Sequence, residues 1–128
     1  MANLTAQQVK DLADNLAAMA QVIDDYRMKN SKNLLDSQNQ QIKDLADTIR
    51  DNADRLYSLS ATVVIDDIQK FLDAIEKVTN DMKITFETLE NIQKAINVAA
   101  AVAALASSIL SGKPQSIAQS INDFANSL

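Results

Sequence analysis

Fifty residues, from Thr62 to Ser111, pass without a glycine or a proline. Through most of this stretch apolar side chains recur at alternating spacings of three and four: Ile68, Phe71 or Leu72, Ile75, Val78, Met82, Phe86, Leu89, Ile92, Ile96. That is the stripe of an amphipathic helix rather than the alternation of a strand. The last third changes character. From Ala95 to Gly112 there is no charge, and the run is rich in alanine, valine and serine. One stretch thus carries an ordinary core-facing part and a part that is small and uncharged on every side.

The rest of the chain agrees with an all-α fold. One Gly and one Pro in 128 residues are too few for the turns of a many-stranded protein, and 47% apolar residues are enough for a core. Thr5 and Gln8 form a capping box, with Leu4 and Val9 as its hydrophobic staple. Leu12, Leu16, Met19, Ile23 and Tyr26 follow on one face, and the pattern fades in the polar run at 29–33. Leu34 and Leu35 are expected to tuck the connection onto the core.

Ser37 and Gln40 signal a second start, continued by Ile42, Leu45, Ile49, Leu56 and Leu59, with Asn52 intruding. Counted in sevens, this stripe is two positions out of register with the first, so a break falls near residues 31–37. A further slip between Leu59 and Ile65 places another break there. Gly112 and Pro114 end the long helix. Ser116 with Gln119 starts a last one, with Ile117, Ile121, Phe124 and Leu128 on its face. The expected architecture is an elongated up-and-down bundle in one domain, with helices at about 4–30, 37–59, 62–111 and 115–127.

Two further features bear on this architecture. The segment Gln7–Leu16 matches Gln40–Ile49 at seven of ten positions, so the first two helices either reuse common amphipathic letters or are copies occupying equivalent places. An unbroken helix over 62–111 would be ~75 Å long, whereas a compact domain of this size has a radius of gyration of ~14 Å. Either the helix kinks, with 79–81 the best place by composition, or the bundle is elongated, or another chain covers the overhang. The stripe keeps its phase through 79–81, which favours elongation and a self-association surface.

Composition excludes several chemistries. There is no histidine, so the commonest general base and every Ser-His-Asp arrangement are absent. There is no cysteine, hence neither disulfide nor thiolate chemistry. Twelve basic residues scattered among seventeen acidic ones, at a net charge of −5, do not make a phosphate-binding surface, so no nucleic-acid partner is expected. Asp24–Asp25 and Asp66–Asp67 diverge on a helix and do not converge on one ion. Glu87 and Glu90 share a helix face and read as solvated surface, and Ser107, Ser108 and Ser111 near Lys113 read as packing or backbone-bonded residues. No enzyme activity, cofactor, metal or small-molecule substrate is expected.

What remains is the uncharged run, with three destinations open to it: burial in its own bundle, an interface, or a bilayer. Ala99, Ala103, Ala100, Ala104 and Ser108 have the small-xxx-small spacing that lets helices approach closely. The candidate contact residues are Ile96, Ala99, Ala100, Ala103, Ala104, Ser107 and Leu110. Lys94 and Lys113 flank the run as interfacial anchors would. The layout of 62–111 is similar in style to the signal-less helical toxins and translocators of bacteria, the α-helical pore-forming cytolysins among them. That resemblance rests on layout, without a motif, and gives no residue a role. Taken together, the expectation is a non-catalytic helical protein that contacts a second copy or another helical protein. The alternative is a membrane-active protein inserting 95–111. The opening residues lack a secretory signal, which suits a cytoplasmic chain or one exported without a cleavable leader.

Overall fold

In the computed structural model, which describes residues 2–58, 64–65 and 67–128, the chain is an all-α bundle. Its helices are α1 (Ala6–Lys29), α2 (Asp36–Ser58), α3 (Ile68–Glu87), α4 (Ile92–Ser111) and α5 (Pro114–Ser127). A 3-10 turn, Ser31–Asn33, lies between α1 and α2. Two two-residue strands, β1 (Ala2–Asn3) and β2 (Val64–Ile65), pair antiparallel and tie the start of the chain to the approach of α3.

Local chemistry sets most of these boundaries. At α1 both bonds of the Thr5–Gln8 capping box form, at 2.8 and 3.1 Å, and Leu4 and Val9 are buried together in the core. The second helix starts slightly earlier than Ser37 suggests. Gln38, not Gln40, reaches back, accepting from the Leu35 N–H at 2.9 Å, while Gln40 donates to Asp44 instead. Leu34 does tuck against the core, but Leu35, outside the first turn, is exposed. Leu59 and the slip after it lie outside the described residues, as does Asp66. Asp67 caps α3 by accepting the Lys70 N–H at 3.1 Å. The last helix begins at Pro114, which is well suited to a first helical position, so Ser116 and Gln119 lie inside it and do not cap it.

The main correction concerns 62–111, which is two helices and not one. The break falls at 88–91, outside 79–81; Thr79 is buried mid-helix, its hydroxyl donating to the Ile75 carbonyl at 2.7 Å. Asn91 ends the interruption, with an extended backbone (φ −75°, ψ 107°) and its side chain accepting the Lys94 N–H at 3.0 Å. Tertiary geometry explains the break. The large buried residues of α3 run through Ile75, Val78, Met82 and Phe86, and those of α4 through Val98, Val102, Leu105 and Ile109. On one straight helix, at ~100° per residue, the centre of the second set lies ~165° round from the centre of the first, so a single rod could not bury both sets in one core.

Helix directions follow from specific contacts. The hydroxyl of Tyr57 donates to Asp14, and Arg50 pairs with Asp24, so α2 runs antiparallel to α1. Asp24 also pairs with Arg27 at 3.3 Å, and Arg27 donates to Asn39 at 3.3 Å, which makes a half-buried polar clamp between the two helices. The β1–β2 pairing holds α1 and α3 together at one end. At the other, Tyr26 packs edge-on against Phe86 with ring centroids 5.5 Å apart, and the Lys29 ammonium donates to the Glu87 carbonyl at 3.4 Å. Hence α3 is parallel to α1. The α4 helix packs on α2 and α5 and less on α1, while α5 sits between α4 and α3. Although joined by four residues, α3 and α4 scarcely touch each other.

The two matching segments are both helical and share most of a buried face, though Leu12 is fully buried and its counterpart Leu45 only half-buried. Val9, Ala13 and Leu16 in α1 and Ile42, Ala46 and Ile49 in α2 are all buried. Each copy also makes the same surface pairs, Gln7–Asp11 with Gln40–Asp44, and Lys10–Asp14 with Lys43–Asp47. Such i,i+4 pairs add only ~0.2–0.5 kcal/mol each; burial of the shared apolar face stabilises the two helices far more. The solvent-accessible surface, 6906 Å², is close to the ~6,700 Å² expected of a compact monomer of this mass. With no 75 Å rod there is no overhang, and the length argument for elongation falls away.

Two tyrosines report on this packing. Hydrogen bonding to Asp14 pushes the Tyr57 phenol up to about 12, and the same bond, with help from Lys10, holds the Asp14 carboxyl below its usual range. A raised phenol stabilises the fold fully below the unfolded value near ~10 and loses that contribution as pH climbs from there through about 12. For Asp14 the contribution is present above the unfolded carboxylate range and is lost as pH falls through the lowered native value. Tyr26 is pushed up by burial, and its hydroxyl is buried without a hydrogen-bond partner among the described residues. Tyr26→Phe is therefore expected to be neutral or stabilising by up to ~1 kcal/mol. In that variant Tyr57 is the only tyrosine left, and its phenolate absorbance should appear near pH 12. Adding Asp14→Asn should bring it back toward ~10.

Candidate interaction surface

The Asn91 cap opens α4, and Gly112 closes it in the left-handed conformation (φ 70°), its N–H donating to the Ile109 carbonyl at 3.2 Å. Between the caps the helix has two sides of different size. Val98, Val102, Leu105 and Ile109, spaced four, three and four, point into the bundle with Ala95, Ala99 and Ala106 among them. Gln93, Asn97, Ala100, Ala104, Ser107 and Ser111 form the opposite stripe, and all six are exposed. That outer stripe is ~27 Å long at the helical rise and carries no charge.

The seven residues expected to form a contact surface do not share one face. Ala100, Ala104 and Ser107 are on the outer stripe. Ala103 and Leu110 are half-buried at its margins, and Ile96 and Ala99 are buried beneath. The small-residue spacing does not single out the inward row of Val98, Val102, Leu105 and Ile109. The signal for that row is side-chain size, since Val98, Val102, Leu105 and Ile109 fall on one stripe, while the outer stripe within the run holds only Asn97, Ala100, Ala104, Ser107 and Ser111.

Two of the three serines near Lys113 have structural partners. Ser108 and Ser120 share a hydrogen bond at 2.7 Å between α4 and α5, and the Ser111 hydroxyl donates to the Ser108 carbonyl at 2.6 Å. Glu87 and Glu90 do not share a helix face, because Glu87 ends α3 and Glu90 lies in the break. Among the described residues no three His, Cys, Asp or Glu side chains are grouped so as to hold a metal ion.

By length and composition α4 could cross a bilayer, and 44% of its most apolar window is buried inside the bundle. The core helix of a soluble protein passes the same test. Lys94 and Lys113 stand at its two ends. No family model, curated protein or solved structure matches this chain.

Proposed function

We propose that this is a non-catalytic helical-bundle protein that works by helix-to-helix contact, with the outer stripe of α4 as its docking face and a second copy as its partner. The observation that carries the reading is the missing charge. Charged residues make up 23% of the chain, yet none falls on the exposed stripe from Gln93 to Ser111. The exposed sides of α1, α2 and α3 carry Lys–Asp pairs such as Lys10–Asp14, Lys43–Asp47 and Lys77–Asp81. Two molecules of net charge −5 repel one another. The α4 stripe is where they approach without opposing like charges. Its alanines and serines let helix axes come close, and Leu110 at the margin adds apolar area.

Sedimentation equilibrium on freshly isolated monomer tests this. The wild-type chain is expected to exceed its 14.0 kDa mass as concentration rises, reversibly on dilution. The Ala100→Asp/Ala104→Asp variant, altered only at exposed positions, is expected to stay at one chain mass.

A second reading, insertion of α4 into a bilayer, draws on the length and apolar composition of that helix. Flotation with neutral and anionic vesicles checks it, and a chain that remains in the soluble fraction with both ends it.

A further inference from the structure

We infer that the α3–α4 connection is a hinge through which two copies exchange their α4–α5 hairpins. This goes beyond the outer stripe of α4 and does not depend on it. Three observations support it.

The first is in the sequence across the break. Val78, Met82, Thr85, Leu89, Ile92 and Ile96 keep an unbroken spacing of four, three, four, three and four, apolar at all but Thr85, straight through the non-helical residues 88–91. That is a heptad seam suited to one continuous helix. The connecting residues Thr88, Leu89, Glu90 and Asn91 include neither Gly nor Pro, so nothing intrinsic to them forbids helix.

The second is in the packing. The α4–α5 hairpin is held by α2, α1 and, through α5, α3, but α3 and α4 barely meet. If α3 and α4 join into one helix from Ile68 to Ser111, the hairpin leaves its own bundle and can make every one of those contacts with the partner's. Little is given up, because the native interfaces are rebuilt in trans. The carbonyls ending α3 and the N–H groups opening α4 gain helical partners.

The third is the direction of the two buried faces. The turn of ~165° between them is fatal to a single-bundle rod but suits a rod shared by two, with α3 on its own α1 and α4 on the other copy. Leu89 and Ile92 are half-buried in the closed form, and Ile84, one turn before the break, is exposed. In the exchanged form these residues lie where the two rods cross.

The test is refolding from denaturant at high protein concentration, followed by size-exclusion chromatography with light scattering. A species of twice the 14.0 kDa chain mass is expected. It should persist on dilution, because separation requires unpacking α4 and α5. Spin labels on Lys77→Cys/Ser107→Cys, diluted with unlabelled chain, report the intrachain distance in a protein with no other cysteine. In the dimer it should be ~45 Å, against roughly 25 Å or less in the monomer, where the helices fold back.

Glu90→Pro removes no backbone hydrogen bond of the closed connection, where the Glu90 N–H donates to no backbone carbonyl among the described residues, but breaks a continuous helix. It should lower the yield of dimer at least ~100-fold. Asn91→Ala removes the α4 cap and favours helix through the hinge, so the yield should rise about tenfold or more. Ala100→Asp/Ala104→Asp should leave this dimer intact, which separates it from association through the outer stripe. A persistent dimer with the short distance, a dimer that survives Glu90→Pro, or a monomer in every variant including Asn91→Ala would each overturn the exchange. The last of these leaves the reversible association of the wild-type chain to be judged on its own.

Discussion

Val102→Asp is expected to leave the chain unfolded or nearly so at room temperature, while Ala104→Asp, two residues on, is expected to cost no more than ~1 kcal/mol. The two positions belong to the same helix and the same uncharged run. Val102 is fully buried among the helices, whereas Ala104 is open to solvent. Among the described residues the buried polar side chains are Asn52 and Thr79, with no buried cation, and burying an unpaired charge costs several kcal/mol. Domains of this size hold only ~5–15 kcal/mol in reserve. Far-ultraviolet circular dichroism with urea denaturation reads both variants. Equal losses at the two positions would mean that α4 has no inward side.

A second large effect is expected at Ile75. Ile75→Ala should cost ~2–5 kcal/mol, because the side chain is fully buried and the helices around it cannot close the cavity completely. On the amphipathic stripe alone, Leu89 and Ile92 look equivalent to it. They are not, because Leu89 lies in the break and Ile92 directly after it, and both are only half-buried, so truncation there should cost ~0.5–2 kcal/mol. Urea denaturation of the three variants side by side gives the ordering, and a loss at Leu89 as large as that at Ile75 would count against a break at 88–91.

These contrasts show what was legible in the chain and what was not. The helical class, the Thr5–Gln8 cap, the stripe from Val9 to Tyr26 and the stop at Gly112 are local properties, carried by side chains within a few residues of one another. The matching segments Gln7–Leu16 and Gln40–Ile49 each bury one apolar face, with Val9, Ala13 and Leu16 corresponding to Ile42, Ala46 and Ile49, as either reused amphipathic letters or a copy would give. The α3–α4 break was not legible in that way. Nothing in Thr88-Leu89-Glu90-Asn91 resists a helix as Gly112 and Pro114 do, and the apolar spacing runs on through it. Only the need to bring Val98, Val102, Leu105 and Ile109 into the core already occupied by Ile75, Met82 and Phe86 folds the chain back there, with Asn91 supplying the cap.

The uncharged run was a similar case. Its lack of charge was plain, but its meaning depends on which residues face inward. Half of the explanation is ordinary burial against α2 and α5. The outer stripe is the part that burial leaves unexplained, and the proposed contact rests there.

One substitution addresses that stripe directly. Ala104→Cys places the only thiol of the chain in the middle of the stripe, at an exposed position. Its rate of reaction with a small thiol reagent, followed across a wide range of protein concentration, reports whether a second copy covers the stripe. The expected result is free reaction at low concentration and progressive protection as concentration rises. A rate that stays the same from the most dilute to the most concentrated sample would contradict the proposal that α4 docks a second copy.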